Sequence, residues 1–299
     1  MSKDTEKIFR QLNQYLDANG GDNMSDAEME RLVQQFMQEY NAKIDMRPES
    51  SEPETVEDWL ELAEEATTKK KQLEYVNKAL ELEPDNLDAR LSKINFTAKH
   101  PHEALDALAA LLKKGEAQME AGGYFRNNMG EFWAVLETRP FMRVCHNYLE
   151  TLVHLGMMRK AMQMGEWMLE LCENDNLGER FQLMHLYAYL EDEAAALKLL
   201  ARYNEHEESQ LLLALAVLYY KLDRAEEAIT YLKRLQKVNR DTRKFLRAAS
   251  RGDFGDLDTR RYGYRPYSAE ELIQEYEESF YLFESVPHFF KWAERCLKA

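Results

Sequence analysis

Apolar residues recur along this chain at three- and four-residue intervals, and the runs between them are short and polar. Residues 4–18 put Ile8, Phe9, Leu12, Tyr15 and Leu16 on one helical face, and Ala18-Asn19-Gly20-Gly21-Asp22-Asn23 has the turn chemistry that ends a helix. Ser25, with Glu28 three residues on, has the capping-box pattern and opens a second helix faced by Met29, Leu32, Val33, Phe36, Met37 and Tyr40. Residues 46–56 hold two prolines, two serines and three glutamates, too little apolar surface to fold alone. The expectation is a helical hairpin over 1–45 followed by a linker over 46–56.

From Val56 onward the helical pattern returns in pairs. Trp59, Leu60, Leu62 and Ala63 mark one helix, and Leu73, Val76, Ala79, Leu80 and Leu82 the next, which Pro84 stops. Helices near 87–99 and 101–120 follow, the second ended by Ala121-Gly122-Gly123, and 124–138 reads as an irregular insertion. Three regular units come next, near 139–172, 176–205 and 209–239. Ala161, Ala195 and Ala228 lie 34 and 33 residues apart, each after an apolar helix and a tight polar turn. A helix–turn–helix unit repeated near 34 residues is the tetratricopeptide period. The expected fold is therefore all-α: an α-α superhelix, a tetratricopeptide-like solenoid over 57–299. Its insertion lies near 121–138. An aromatic C-terminal cap near 251–299 covers the last unit, where Ser268 and Glu271 start a helix to about Phe283 and Pro287 opens another with Phe289, Phe290, Trp292 and Leu297.

Composition agrees with a helical reading: the 299 residues include only 12 glycines and 7 prolines. The net charge of −15 repels phosphate backbones and favours a basic partner, so nucleic acid is disfavoured. One local exception is Arg240, Arg243, Lys244, Arg247, Arg251, Arg260, Arg261 and Arg265, interleaved with Tyr262, Tyr264 and Tyr267. These are read as a charged cover over a helix C-terminal region, paired with nearby carboxylates; the alternative is a patch for nucleic acid or an acidic peptide. Cys145, Cys172 and Cys296 are odd in number and widely spaced, which is no disulfide framework. The start is polar, and the longest apolar run, Leu211 to Tyr220, is about half the ~20 residues a membrane span needs. A reduced, cytoplasmic protein without a membrane anchor is expected.

No phosphate-cradling or nucleophile-elbow motif occurs. His100 and His102 are two potential metal ligands without a third. Cys145 and His146 are adjacent, so on a helix they point about 100° apart and do not form a nucleophile–base pair. Asp17, Asn19, Ser25 and Glu28 fall at calcium-loop spacing, but Asp22 occupies the sixth position, where glycine is required; a turn and a cap account for them. No enzyme activity, cofactor or metal is expected.

Two stretches are not generic repeat sequence: Glu131-Phe132-Trp133 with Glu137-Thr138-Arg139-Pro140-Phe141-Met142-Arg143, and Asn174-Asp175-Asn176-Leu177-Gly178-Glu179-Arg180-Phe181. With Tyr262-Gly263-Tyr264 and Tyr267-Ser268-Ala269-Glu270-Glu271, they resemble a bacterial group of tetratricopeptide proteins akin to the suppressor-of-tumorigenicity type. The resemblance spans roughly 125–295 and leaves out 1–50. Glu173 stands where the group has proline, and Leu177 where it has glutamine. The resemblance implies an interaction role without naming a ligand.

In such an array the first helix of each unit lines the concave face. The repeat register puts Arg143, His146 and Glu150 there, then Arg180 and Tyr187, then Gln210, Tyr220 and Lys221, with Arg139 at the start of the row. Arginine and tyrosine in a groove suit peptide recognition. The alternative is that Arg139, Arg143 and Arg180 pair with Glu131, Glu137 or Asp175 and fix the inter-repeat angle. The Lys and Asn set of a chaperone-tail clamp is missing. The function expected is a non-enzymatic protein–protein interaction scaffold that binds a peptide or protein segment on its concave face. The alternatives are a homo-oligomeric structural protein, whose N-terminal hairpin or aromatic C-terminal end makes a homodimer, and an RNA-binding regulator.

Overall fold

The computed structural model describes residues 3–20, 24–46, 53–203, 207–257 and 263–297, and the regular elements among them are α-helices and two short 3-10 turns. The chain divides into two compact units, Met1–Tyr148 and Leu149–Ala299.

The first unit holds α1 (Lys3–Asn19), α2 (Asp26–Met46), α3 (Val56–Glu65), α4 (Lys69–Leu82), α5 (Leu87–Thr97), α6 (Pro101–Ala121), the short α7 (Tyr124–Asn127) and the start of α8 (Arg139–His154). α1 and α2 pair through Tyr15, Phe36 and Tyr40, whose neighbouring rings lie 5.5 and 5.7 Å apart. The hairpin docks: Lys7 of α1 pairs with Asp58 of α3, and Arg10 with Glu57. Residues 47–52 of the expected linker lie outside the described residues, but its end is ordered. The Thr55 hydroxyl accepts from the Asp58 amide at 3.2 Å, and the Asp58 carboxylate accepts from the Thr55 amide at 3.0 Å. This box starts α3, whose Val56, Leu60 and Ala63 pack with Val76 and Ala79 of α4 and Ala89 of α5. α6 passes so close to α8 that a Cβ on Gly115 would stand 2.5 Å from the ring of the fully buried Phe141, so glycine alone permits this approach.

Burial works against the charge on Asp58, but Lys7 and the amides of Thr55 and Glu54 outweigh it and hold the carboxyl at a pKa of about 2, below its ordinary 3.8. A depressed carboxylate adds stability above its unfolded pKa and loses it as pH falls through the folded value. Asp58→Asn is therefore expected to flatten the acid limb between about pH 4 and 2 by roughly 2 kcal/mol at most. Denaturant titrations at pH 7, 4 and 2.5 check this, and a variant with the wild-type acid slope would dismiss it.

The second unit holds the end of α8, then α9 (Met158–Leu171), α10 (Glu179–Leu190), α11 (Glu193–Arg202), α12 (Ser209–Lys221), α13 (Ala225–Val238), α14 (Thr242–Arg251), α15 (Ala269–Glu278), α16 (Phe280–Glu284) and α17 (Phe289–Cys296). Its turns repeat one device. The amides of Met157, Asp192 and Arg224 reach back to the carbonyls of Leu152, Tyr187 and Tyr219 at 2.8–2.9 Å, around Gly156, Glu191 and Asp223 in left-handed conformation. Four residues beyond each of those amides stands a fully buried alanine: Ala161, Ala196 and Ala228. The repeat alanine of the middle unit is therefore Ala196. Ala195, the residue singled out by spacing, is only half-buried. The three turns are equal in length and the stretches between them are not, so the intervals become 35 and 32.

α12 has no solvent face. Every residue from Ser209 to Tyr219 is buried, because α15 packs on α12 and α16 packs on α10, the neighbouring first helix of a repeat. The aromatic C-terminal segment thus lies along the first-helix row as well as beyond the last unit. α17 closes against α13 and α14, with Phe290 packed among Phe245, Phe283 and Tyr276 and edge-on to Phe289. The helix expected to run to Phe283 breaks at Ser279, whose hydroxyl donates to the Glu275 carbonyl. Asn239 ties the corner: its side-chain amide donates to Ser268 O at 3.0 Å and reaches Ser209 and Glu271.

Candidate interaction grooves

The arginines expected to line a groove have partners within the fold. Arg139 is 5% exposed; it donates to the Trp133 carbonyl at 2.7 Å, lies over the Trp133 ring and reaches Glu6 at 3.4 Å. With Thr138 donating to the carbonyls of Phe132 and Val135, it folds the 131–138 insertion onto the Phe125–Phe132–Phe141 cluster. Arg143 grips Asp88 of α5 with two parallel bonds of 2.8 and 2.7 Å and Glu6 of α1 with a third nitrogen at 3.0 Å from both oxygens. Burial opposes its charge, but the two carboxylates win and raise its pKa.

Arg180 repeats this pattern in the second unit. Its guanidinium takes Glu208 at 2.9 and 2.6 Å and Asp175 at 2.8 Å, and lies over the Phe181 ring. Asp175, in left-handed conformation, also accepts the amides of Glu179 and Arg180 and so caps α10. The specific stretch 174–181 therefore builds the joint between one helix pair of the second unit and the next. Of the carboxylates expected to pair with these arginines, Asp175 does; Glu6, Asp88 and Glu208, distant in sequence, hold the others.

The remaining expected residues divide between surroundings. His146 is half-buried on α8, and Glu150 is exposed near the Tyr281 hydroxyl. Gln210 is 6% exposed and hydrogen-bonds Tyr264. Tyr187 donates to Glu166 at 3.0 Å beside an open cavity of about 360 Å3 walled by α9, α10 and α11. Tyr220 and Lys221 edge another of about 500 Å3, shared with Asp223, Val286 and Trp292. Lys221 donates to the Ala188 carbonyl at 3.1 Å and to Tyr189 O, capping α10, and burial lowers its pKa against the pull of Glu191. Tyr187, Tyr220 and Lys221 thus border these two open spaces.

The roomiest of these grooves is in the first unit, between α5 and α6, helices on which the repeat register expects no site residue. It measures about 580 Å3, within the range of sites that hold ligands, roughly 300–1,000 Å3. Arg90, Lys93, Ile94 and Thr97 of α5 face Ala107, Ala110, Leu111 and Lys114 of α6, with Leu80 of α4 and Pro84 beside them. Each helix contributes residues at i, i+3, i+4 and i+7, one continuous stripe. Small side chains at Thr97, Ala107 and Ala110 leave the trough open where larger ones would fill it. Arg90 and Lys114 converge on one oxygen of the exposed Asp85, Arg90 at 3.0 Å, and Lys93 donates to Asn77 at 3.0 Å. Ala107 and Ala110 at helical spacing on α6, facing Thr97 of α5, are the signal that could have located this trough.

Of the basic set near the C-terminus, Lys244 pairs with Asp241, Arg247 with Glu294 and Arg265 with Glu270, while Arg260 and Arg261 lie outside the described residues. Among the described residues no three His, Cys, Asp or Glu side chains are placed to hold a metal ion, and no helix is long and apolar enough to cross a membrane. No family model matches the chain, and none of the curated proteins does. Among solved structures it is similar to YrrB, described as a TPR protein with an unusual peptide-binding site, at 19% identity over 62% of this chain and 86% of that one, with a TM-score of 0.42.

Proposed function

We propose that this chain is a non-enzymatic interaction scaffold, in a reduced cytoplasmic setting, that holds a segment of another protein against its helical hairpins. The observation that carries the reading is the open trough between α5 and α6, which has an apolar floor and no occupant among the described residues. By contrast, the first-helix row of the second unit is covered by α15 and α16. Tyr187, Tyr220 and Lys221 border the other open spaces and are the expected residues best placed for secondary contacts. The resemblance of 131–143 and 174–181 to a bacterial tetratricopeptide group points to the same class of function.

Panning a random peptide library on phage against the full chain should enrich binders. Ala110→Trp fills the trough from an exposed position and should abolish their retention while leaving the melting temperature unchanged. Failure to enrich any peptide, or binders indifferent to Ala110→Trp, would overturn the proposal.

A further inference from the structure

We infer that the α5–α6 trough selects an acidic amphipathic segment, its apolar side chains on Ile94 and Leu111 and its carboxylates at the end where Arg90 and Lys114 meet. The inference rests on the scaffold reading above and gives the partner its chemistry. The chain carries a net charge of −15, yet the charged residues lining this trough are Arg90, Lys93 and Lys114. A wall of cations on an acidic protein sets the sign of what it attracts and is opposite to the basic partner favoured by the surface as a whole.

The trough is polarised. Arg90 and Lys114 both reach Asp85, so their charges share one end; Lys93 stands one turn farther along α5, and Thr97 lies a further turn away. Asp85 already shows which group these cations take: a carboxylate, held by both. Its side chain is 68% exposed, and exposed pairs of this kind are weak because water screens them. A carboxylate from a partner, brought in by apolar contacts on the floor, can displace it. Asp85 then acts as an internal competitor, which gives the inference a signature that general stickiness lacks: removing a charge next to the site should tighten binding.

The test uses the full chain and the peptides enriched by panning, with affinities read by fluorescence anisotropy. The sequences should be rich in Asp and Glu beside apolar residues, and their affinity should fall as salt rises. Asp85→Asn should tighten binding by roughly threefold to tenfold, and Lys114→Glu should weaken it by at least about tenfold. Lys93→Glu serves as a second reversal if Lys114→Glu lowers the melting temperature. Neutral or basic binders that Ala110→Trp still blocks would overturn the acidic inference and leave the scaffold reading intact. So would acidic binders weakened by Asp85→Asn. Absence of any binder sinks both.

Discussion

Arg143→Glu is expected to cost the first unit about 3–5 kcal/mol of stability, the usual cost of breaking a buried charge pair. Arg143 sits on α8 and joins two other helices, gripping Asp88 on α5 and Glu6 on α1. Glu6 is 5% exposed, so removing the guanidinium leaves two carboxylates facing each other with little access to water. A glutamate there adds a third. Urea unfolding followed by tryptophan fluorescence reports it, since Trp59 and Trp133 belong to this unit. Arg143→Lys keeps the charge but not the two-pronged grip, so its loss should be smaller. A wild-type midpoint for Arg143→Glu would mean that the brace contributes nothing and that the arginine is available to a ligand.

Phe289→Ala is expected to destabilise the second unit by about 3–5 kcal/mol, as deletions of large buried aromatics do. Phe289 has no exposure and packs edge-on against Tyr220 at 5.4 Å and against Phe290 at the same separation, with Trp292 nearby. It therefore joins α17 to the end of α12, the helix without a polar face. Losing the ring leaves a void that rigid helices on both sides cannot close. It also loosens the cover over a helix that is buried from Ser209 to Tyr219. Thermal unfolding with Trp292 fluorescence measures the first effect, and dye binding to exposed apolar surface the second. A loss below about 1 kcal/mol would mean that the site collapses without strain.

Much of this fold was legible before any coordinate. The helix pairs from 139 to 239, the capping of α15 by Ser268 and the aromatic character of the C-terminus all follow from spacing and turn chemistry. Spacing put the middle repeat alanine one residue off because the stretch between successive turns varies in length, and only the hydrogen-bond register of the turns identifies Ala196. The site was less legible. Arg143 and Arg180 stand out in the sequence as cations on an expected inner face, but their partners Glu6, Asp88 and Glu208 are unmarked acidic residues in a chain rich in them.

The sequence by itself determined the helices, their pairing and the period of the second unit, because those depend on contacts within about one repeat. Tertiary structure alone decided which faces stay open. The C-terminal helices lie on the first-helix row, a contact between residues nearly a hundred positions apart, such as His185 with Glu275. Alanine and threonine at matched positions of α5 and α6 leave a trough whose charge opposes that of the chain. Periodicity records which side of a helix is apolar, but whether a neighbour fills that side depends on how elements distant in sequence meet.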